Sequence, residues 1–161
     1  MGRVWALAAW GVLALACAGT PLTPLSPFKA EVTGETTTQT TVGGPVHLRL
    51  SIHNSGPDME KLAVIFQTGS GYDNWLDHHD VTDAGSCQLD RKLKGFRCGA
   101  LKSGATAEFD IMATAKHRGT FKYELAVADV SSSRPRYVNE ARDGDKIKFK
   151  VEGWSEEVVP E

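Results

Sequence analysis

Strict alternation of apolar and polar side chains is the feature that most restricts the fold of this chain. The segment VHLRLSIHN, residues 46–54, alternates without exception over its first eight positions. Because successive side chains of an extended strand point to opposite faces, this period of two predicts a half-buried β-strand. The same argument places His47 and His53 on the solvated face of that strand.

The pattern recurs along the chain, and turn-forming residues separate its copies. Alternating segments are EFDIMATA, TFKYELAVADV and KIKFKVE, which begin at residues 108, 120 and 146. KLAVIF, residues 61–66, is a continuous apolar run and predicts a strand covered on both faces. FKAEV and TTTQTTV, which begin at residues 28 and 36, predict edge strands, and no long segment has a helical period. These patterns predict an all-β fold, an immunoglobulin-like β-sandwich of seven or eight strands in a single domain.

The first 18 residues are typical of a signal for export. Arg3 gives a positive start, and Val4 to Ala16 carries no charged side chain. A bilayer span needs roughly 20 residues, so this run is too short to cross and fits the apolar region of a secretory signal peptide. A short uncleaved membrane anchor is the alternative interpretation.

Cys17 stands at the end of this segment and has two interpretations. The small residues before it suit ordinary signal peptidase, with cleavage after Ala16 or Ala18. The same stretch resembles a bacterial lipobox, whose cysteine receives the lipid, although Ala14 stands where such boxes usually have leucine. A diacyl lipid on Cys17 would hold the protein stably at a membrane. We therefore expect an extracytoplasmic protein, either a lipoprotein on the outer face of the cell membrane or a secreted one.

The remaining chain divides into a spacer, one domain and a tail. Residues 19–27 contain three closely spaced prolines, which predict an extended spacer. Residues 28–153 have the length of a single domain, and residues 154–161 are interpreted as an acidic tail. The formal net charge of −2 argues against nucleic acid as a partner, because such binding needs a basic face.

Cys87 and Cys98 are predicted to form a disulfide. They enclose the ten residues QLDRKLKGFR, in which Gly95 could supply the turn. An exported protein meets an oxidising environment, and a closed loop of this length contributes about 3 kcal/mol in the chain-entropy model. A redox-active pair is the alternative, but the CxxC spacing typical of that chemistry is absent from the sequence.

The turn after the first alternating strand has a physical explanation of its own. In Asn54-Ser55-Gly56-Pro57-Asp58, an asparagine side chain can hydrogen-bond the backbone two residues on, glycine permits positive φ, and proline fixes its own φ. Asn54, Gly56 and Pro57 are therefore interpreted as structural residues.

Four motifs between residues 46 and 130 follow one another in a characteristic order. They are Asn54-Ser55-Gly56-Pro57-Asp58, the pair Cys87 and Cys98, Leu101-Lys102-Ser103-Gly104, and Gly119-Thr120-Phe121. Their order resembles a bacterial immunoglobulin-like repeat, the domain of unknown function eleven, which is related to the cell-adhesion-related domain of bacteria. The resemblance implies a sandwich fold and a place on the bacterial envelope. Two departures are the segment after residue 66, which lacks the family's Leu-Pro-x-Gly, and Glu124, where asparagine is common.

The segment WLDHHD, residues 75–80, offers the residue types of a metal site. Aspartate and histidine are common ligands of transition metals. In an extended strand, however, Asp77 and His79 would share one face and His78 and Asp80 the other, which leaves two ligands a face where a site needs three or four. We predict an exposed loop with no metal, and a contact surface built on Tyr72 and Trp75 is an alternative.

These observations favour an exported, lipid-anchored, non-catalytic module of the cell surface with a structural or binding role. No nucleophile elbow, SxxK pattern or phosphate-binding loop occurs in the sequence, so we predict neither an enzyme nor a cofactor. A protein or cell-wall component, unidentified, is the expected partner, together with the membrane through the lipid anchor. The alternative function is that of a small extracytoplasmic metal-binding protein using Asp77, His78, His79 and Asp80.

Overall fold

Fourteen strands and one short helix make up the part of the chain that the computed structural model describes, residues 22–161. The signal segment, the lipobox and Cys17 lie outside the described residues. In chain order the elements are β1 (Thr23–Pro24), β2 (Ala30–Thr36), β3 (Gln39–Thr41), β4 (Pro45–Asn54), β5 (Met59–Gln67), α1 (Trp75–His78), β6 (His79–Asp83), β7 (Gln88–Asp90), β8 (Gly95–Leu101), β9 (Thr106–Ala115), β10 (Gly119–Asp129), β11 (Arg136–Tyr137), β12 (Ala141–Asp143), β13 (Lys146–Lys148) and β14 (Glu152–Val159).

Two sheets face each other and enclose the core, as the predicted immunoglobulin-like sandwich requires. The larger sheet has the order β3-β14-β10-β5-β8-β7, with β11 paired to β10, and the smaller has the order β2-β4-β9-β6. All neighbours are antiparallel except β14 and β3. A peripheral sheet, β1-β12-β13, joins neither of them. Seven strands have seven or more residues, which matches the predicted number of main strands.

The core consists of the alternating apolar residues that the sequence pattern identified. In β4 the residues at even positions from 46 to 52 are buried, and His47 and His53 lie on the outer face. On that face His47 Nδ1 lies 3.2 Å from Asp110 Oδ1, and His53 Nδ1 lies 2.9 Å from Thr106 Oγ1. The apolar run of β5 is covered on both sides, because its outward residues Ala63 and Ile65 form a second cluster with Leu93, Val130 and Tyr137.

The C-terminal residues differ from the predicted acidic tail. Strand β14 covers residues 152–159 and lies inside the larger sheet between β3 and β10. Its inward positions are Trp154, Glu156 and Val158, so a charged residue interrupts an otherwise apolar period of two. The sandwich therefore extends past residue 153.

Two other segments also differ from their predictions. KIKFKVE, residues 146–152, alternates perfectly, yet it is not one strand: Lys146–Lys148 belongs to the exposed peripheral sheet, with Ile147 46% exposed, and β14 begins only at Glu152. The described part of the proline-rich spacer is attached to the domain: β1 pairs with β12, and Leu25 N donates to Glu140 O at 2.9 Å. From residue 22 onward, the structure has no helix long and apolar enough to cross a bilayer.

Candidate functional site

The WLDHHD segment forms a helical turn followed by a strand, and this changes which side chains meet. Asn74 caps the turn, since its Oδ1 accepts a hydrogen bond from Leu76 N at 3.2 Å. The helix ends at His78, and β6 begins at His79. The extended geometry considered for this segment does not apply to residues 75–78, because they are helical, and the predicted loop is a helical turn followed by a strand.

Trp75 lies wholly inside the core. Its side chain is 0% exposed and stacks on Phe66, with ring centroids 5.2 Å apart and planes at 12°. The other neighbour is His79, whose ring centroid is 4.3 Å away. A contact surface built on Trp75 is excluded by this burial. Tyr72, the second residue of that hypothesis, is half-buried, and Glu124 raises the pKa of its hydroxyl by hydrogen bonding and by its charge.

His79 and Glu156 form a buried pair that joins the two sheets. His79 begins β6 in the smaller sheet, and Glu156 lies in β14 of the larger one. His79 Nε2 is 2.8 Å from Glu156 Oε2, and both side chains are 0% exposed. The distance is that of an ion pair, although the angles are not those of a regular hydrogen bond. The prediction that the segment from Asp77 to Asp80 is an exposed loop is therefore wrong at His79.

The hydrogen bond on the other side of the imidazole fixes how many protons this pair holds. His79 Nδ1 lies 2.7 Å from the carbonyl oxygen of Trp75, which can only accept, so Nδ1 carries a proton. Nε2 and Oε2 must then share one further proton, because two lone pairs at 2.8 Å in a dry site would repel each other. Whether that proton sits on the imidazole or on the carboxyl group, the pair has no net charge.

Aromatic residues complete this cluster. Tyr123 is buried, with its ring centroid 5.7 Å from that of His79 and 6.1 Å from that of Trp154. Burial raises the pKa of the Tyr123 hydroxyl, and the charge of Glu156 raises it further. Among the described residues, the Tyr123 hydroxyl and the indole nitrogens of Trp75 and Trp154 meet no partner with regular hydrogen-bond geometry.

The cluster contains a histidine and a carboxylate of the kind that acid–base enzymes use, but it is sealed. A general base must come within hydrogen-bond reach of its substrate. His79 and Glu156 are enclosed between the sheets, where in this structure a substrate cannot reach them. The chemistry available to the pair is therefore the stabilisation of the sandwich. We name His79, Glu156, Tyr123 and Trp75 the polar core cluster.

The four residues of the metal-binding alternative do not meet at one point. His79 is occupied by Glu156, and Asp80 Oδ1 lies 3.6 Å from Lys116 Nζ. His78 Nε2 lies 3.7 Å from Asp73 Oδ1, and Asp77 is exposed. Across residues 22–161, no group of three or more His, Cys, Asp or Glu side chains is arranged to hold a metal ion.

His78 packs against aromatic rings at the edge of the polar core cluster. Its ring centroid is 4.1 Å from that of Phe121 and 6.0 Å from that of His117. Partial burial lowers the pKa of His78, the nearby imidazoles add to this effect, and the charge of Asp73 opposes it. The folded protein therefore favours neutral His78.

This lowered pKa predicts a pH dependence of stability. The unfolded chain takes up a proton on His78 near the usual pKa of about 6.5, before the folded chain does. The contribution of neutral His78 is thus complete above that pH and is lost as the pH falls. We expect the melting temperature to fall more steeply from pH 7.5 to 5.5 in the natural protein than in His78→Phe. Parallel curves would contradict the prediction.

The disulfide is present as predicted. Cys87 lies just before β7 and Cys98 within β8, and their sulfur atoms are bonded at the edge of the main core. The turn of this hairpin differs from the expectation for Gly95. Asp90 Oδ1 accepts from the amides of Lys92 and Leu93, and the chain turns at residues 91–94. Gly95 is a strand residue, where a Cβ would lie 1.9 Å from Val64 O, so only glycine permits this approach of β8 to β5.

Asn54 holds two turns together at one end of the sandwich. Its Oδ1 accepts from Gly56 N at 2.9 Å, and its Nδ2 donates to Pro57 O at 2.8 Å and to Leu101 O at 3.1 Å. A Cβ on Gly56 would lie 2.6 Å from Lys29 N. Asn54 is thus the buried anchor of a structural turn, and the glycine at position 56 is required by the close approach of Lys29, since Gly56 does not adopt the positive φ that was expected.

Asp129 is a second buried carboxylate, and the sequence patterns did not identify it. Oδ2 accepts from the amides of Glu60 at 2.9 Å and Lys61 at 3.1 Å, and Oδ1 accepts from the amide and hydroxyl of Ser131. Burial alone would raise the pKa of Asp129, but these hydrogen bonds together lower it. The carboxylate ties the end of β10 to the start of β5.

Comparison with known proteins adds little to this description. Neither the family models nor the curated proteins contain a match to the chain. Among solved structures, the chain is similar to an ASH/PapD-like domain of human CEP192, PapD-like domain 7, with a TM-score of 0.41 and 14% identity. The match covers 96% of this chain and 99% of that chain. The resemblance to the bacterial immunoglobulin-like repeat stays a prediction.

Proposed function

We propose that this chain is an exported, non-catalytic module of the cell envelope, held at the membrane by a lipid on Cys17. The observation that carries the proposal is the Cys87–Cys98 disulfide. Structural disulfides persist in oxidising compartments outside the cytoplasm and are rare inside it. An apolar run from Val4 to Ala16 immediately before Cys17 supports the same location.

The placement of the ionisable groups supports a structural or binding role. The histidine–carboxylate pair of the polar core cluster is closed to substrates, and the carboxylate of Asp129 is occupied by backbone amides. Both groups connect strands. We infer that the domain presents its outer surfaces to a partner, and that its interior serves to keep those surfaces rigid.

Cell fractionation of the natural protein and of Cys17→Ser tests the proposal. We expect the natural protein in the membrane fraction, without residues 1–16 and with a mass that includes a diacylglycerol on Cys17. The Cys17→Ser protein should lose the lipid and leave the membrane fraction. A chain that stays in the cytoplasm with Met1 and free thiols would contradict the proposal. A membrane-bound Cys17→Ser chain that retains residues 1–16 would instead indicate an uncleaved anchor.

A further inference from the structure

Charge is distributed unevenly over the chain. Residues 90–97 and 134–150 contain ten Lys and Arg residues and four Asp and Glu residues. The whole chain has 18 Lys and Arg and 20 Asp and Glu, so the remainder holds eight basic and sixteen acidic residues. A protein with a net charge of only −2 thus has two segments with a combined charge of +6. We name these two segments the basic patch.

The two segments of the basic patch come together on one side of the molecule. Leu93, in the first segment, packs in the outer cluster of the larger sheet with Tyr137 of the second. Tyr137 in turn stacks on Phe149, with ring centroids 4.2 Å apart and planes at 12°. Leu93 of the first segment and Tyr137 of the second therefore both lie on the outer face of the larger sheet, and Phe149 packs on Tyr137. The outer face of the smaller sheet, on the other side of the sandwich, carries Glu31, Glu35, Glu108 and Asp110.

Several charges of the basic patch are free to meet a ligand. Lys148 pairs with Asp143, and Arg97 with Asp90. Five exposed basic residues of the basic patch take part in none of the ion pairs found among residues 22–161; they are Arg91, Lys92, Lys94, Arg142 and Lys146. A cluster of this kind attracts an anionic surface.

Exposed apolar side chains are concentrated at the same place. In residues 22–161, four large apolar side chains are exposed: Leu22, Met112, Ile147 and Val151. Leu22 precedes β1 and Ile147 lies in β13, both of the peripheral sheet, with exposed fractions of 57% and 46%. Val151, 38% exposed, lies between β13 and β14. Lysines alternate with the apolar residues in the segment KIKFKV, residues 146–151. Basic and apolar side chains mixed in this way are typical of surfaces that bind the interface of a membrane.

The chain enters the domain at this patch. Strand β12 is the middle strand of the peripheral sheet. Its residue Arg142 is paired with Thr23 of β1 on one side and with Ile147 of β13 on the other. The residues immediately before Leu22 are the proline- and threonine-containing continuation of the apolar segment Val4–Ala16. A tether ahead of Leu22 would therefore hold this side of the domain toward a membrane.

We propose that the basic patch docks on a bilayer that contains anionic phospholipids. The lysines and arginines contact the phosphate groups, and Leu22, Ile147 and Val151 enter the headgroup region. The acidic face of the smaller sheet then points away from the membrane, where it is accessible to other molecules. This docking goes beyond the proposed lipid anchor and does not require Cys17 to be lipidated.

Hydrogen exchange of the full chain with vesicles tests the docking locally. Vesicles of phosphatidylcholine are compared with vesicles in which a third of the lipid is phosphatidylglycerol. We expect the anionic vesicles alone to slow amide exchange in residues 141–151 several-fold. Because the readout is local, binding through residues 1–21 does not interfere with it. Equal protection by both kinds of vesicle, or unchanged exchange in residues 141–151, would overturn the proposal.

A charge-matched pair of variants provides the control. Lys146, Lys148 and Lys150 are changed together to Gln in one protein, and Lys102, Lys116 and Lys122 in the other. Since each basic residue at an anionic surface contributes roughly fivefold to binding, the first change should weaken binding to anionic vesicles by about 100-fold. The second should change it by less than about fivefold, with melting temperatures showing that both proteins are folded. Equal losses would mean that net charge, and not this patch, governs binding, which overturns the proposal. The lipid on Cys17 is detected by its mass, so that test of the anchor is independent of either result, whereas fractionation of Cys17→Ser is made at high salt, which weakens docking through the patch.

Discussion

Replacing Glu156 by Leu is expected to lower the free energy of unfolding by about 3–5 kcal/mol, because it leaves His79 without its partner in a dry core. The single change His79→Leu should have a similar cost, since it leaves the Glu156 carboxyl group buried and unpaired. Urea unfolding of the full chain, followed by tryptophan fluorescence, measures both values.

The double variant His79→Leu/Glu156→Leu tests whether the two residues stabilise the fold as a pair. When both members of a buried pair become apolar, neither charge remains to be compensated, so the cost should be much smaller than the sum of the two single changes. Some cost remains, because the Trp75 carbonyl loses its hydrogen bond from His79. Additive effects would show that His79 and Glu156 act independently, and this would contradict the account of the polar core cluster.

Replacing Asp129 by Asn is expected to lower the free energy of unfolding by about 3 kcal/mol at pH 7. The amide has nearly the same shape, but one oxygen becomes an NH₂ group that faces backbone donors, and the charge that strengthens the remaining hydrogen bonds is lost. Asp110→Asn is the matched control. Its carboxylate lies on the exposed face of β9, where the ion pair with Arg49 contributes about 1 kcal/mol or less.

Acid should remove the stabilisation that Asp129 provides relative to asparagine at this position. Because its hydrogen bonds lower the pKa of this carboxyl group, the stabilisation is complete above the usual pKa of about 3.8 and is lost as the pH falls through the lowered value. The difference in stability between the natural protein and Asp129→Asn should therefore shrink as the pH falls below about 3.8. A difference independent of pH would show that shape, and not charge, determines the effect.

The main strands could be predicted because their sequence pattern and their burial have the same cause. In β4 the alternation records directly which face meets the core, and two of the hydrogen bonds of Asn54, those to Gly56 and Pro57, stay within four residues. The disulfide was predictable for the same reason, since its two cysteines close a short loop. Local patterns predict local structure.

The polar core cluster could not be predicted, because its parts meet only in the folded sandwich. Glu156 reads as part of an acidic tail, and His79 reads as part of a polar segment. His79 and Glu156 are 77 residues apart in sequence, and each lowers the free-energy cost of burying the other. The available signal was weak: Trp154 and Val158 alternate around Glu156 with the period of a strand. The prediction for KIKFKV failed in the opposite way. Its alternation is perfect, but the segment lies at the periphery, because a period of two does not specify how deeply a strand is buried.

The oxidation state of the protein in the cell that makes it tests the central claim most directly. Cells are quenched in acid to stop thiol exchange, the proteins are alkylated without reductant, and the peptides that contain Cys87 and Cys98 are examined by mass spectrometry. An exported module should give the two peptides linked to each other and without alkylation. Recovery of both cysteines as alkylated thiols would place the chain in a reducing compartment and contradict the account.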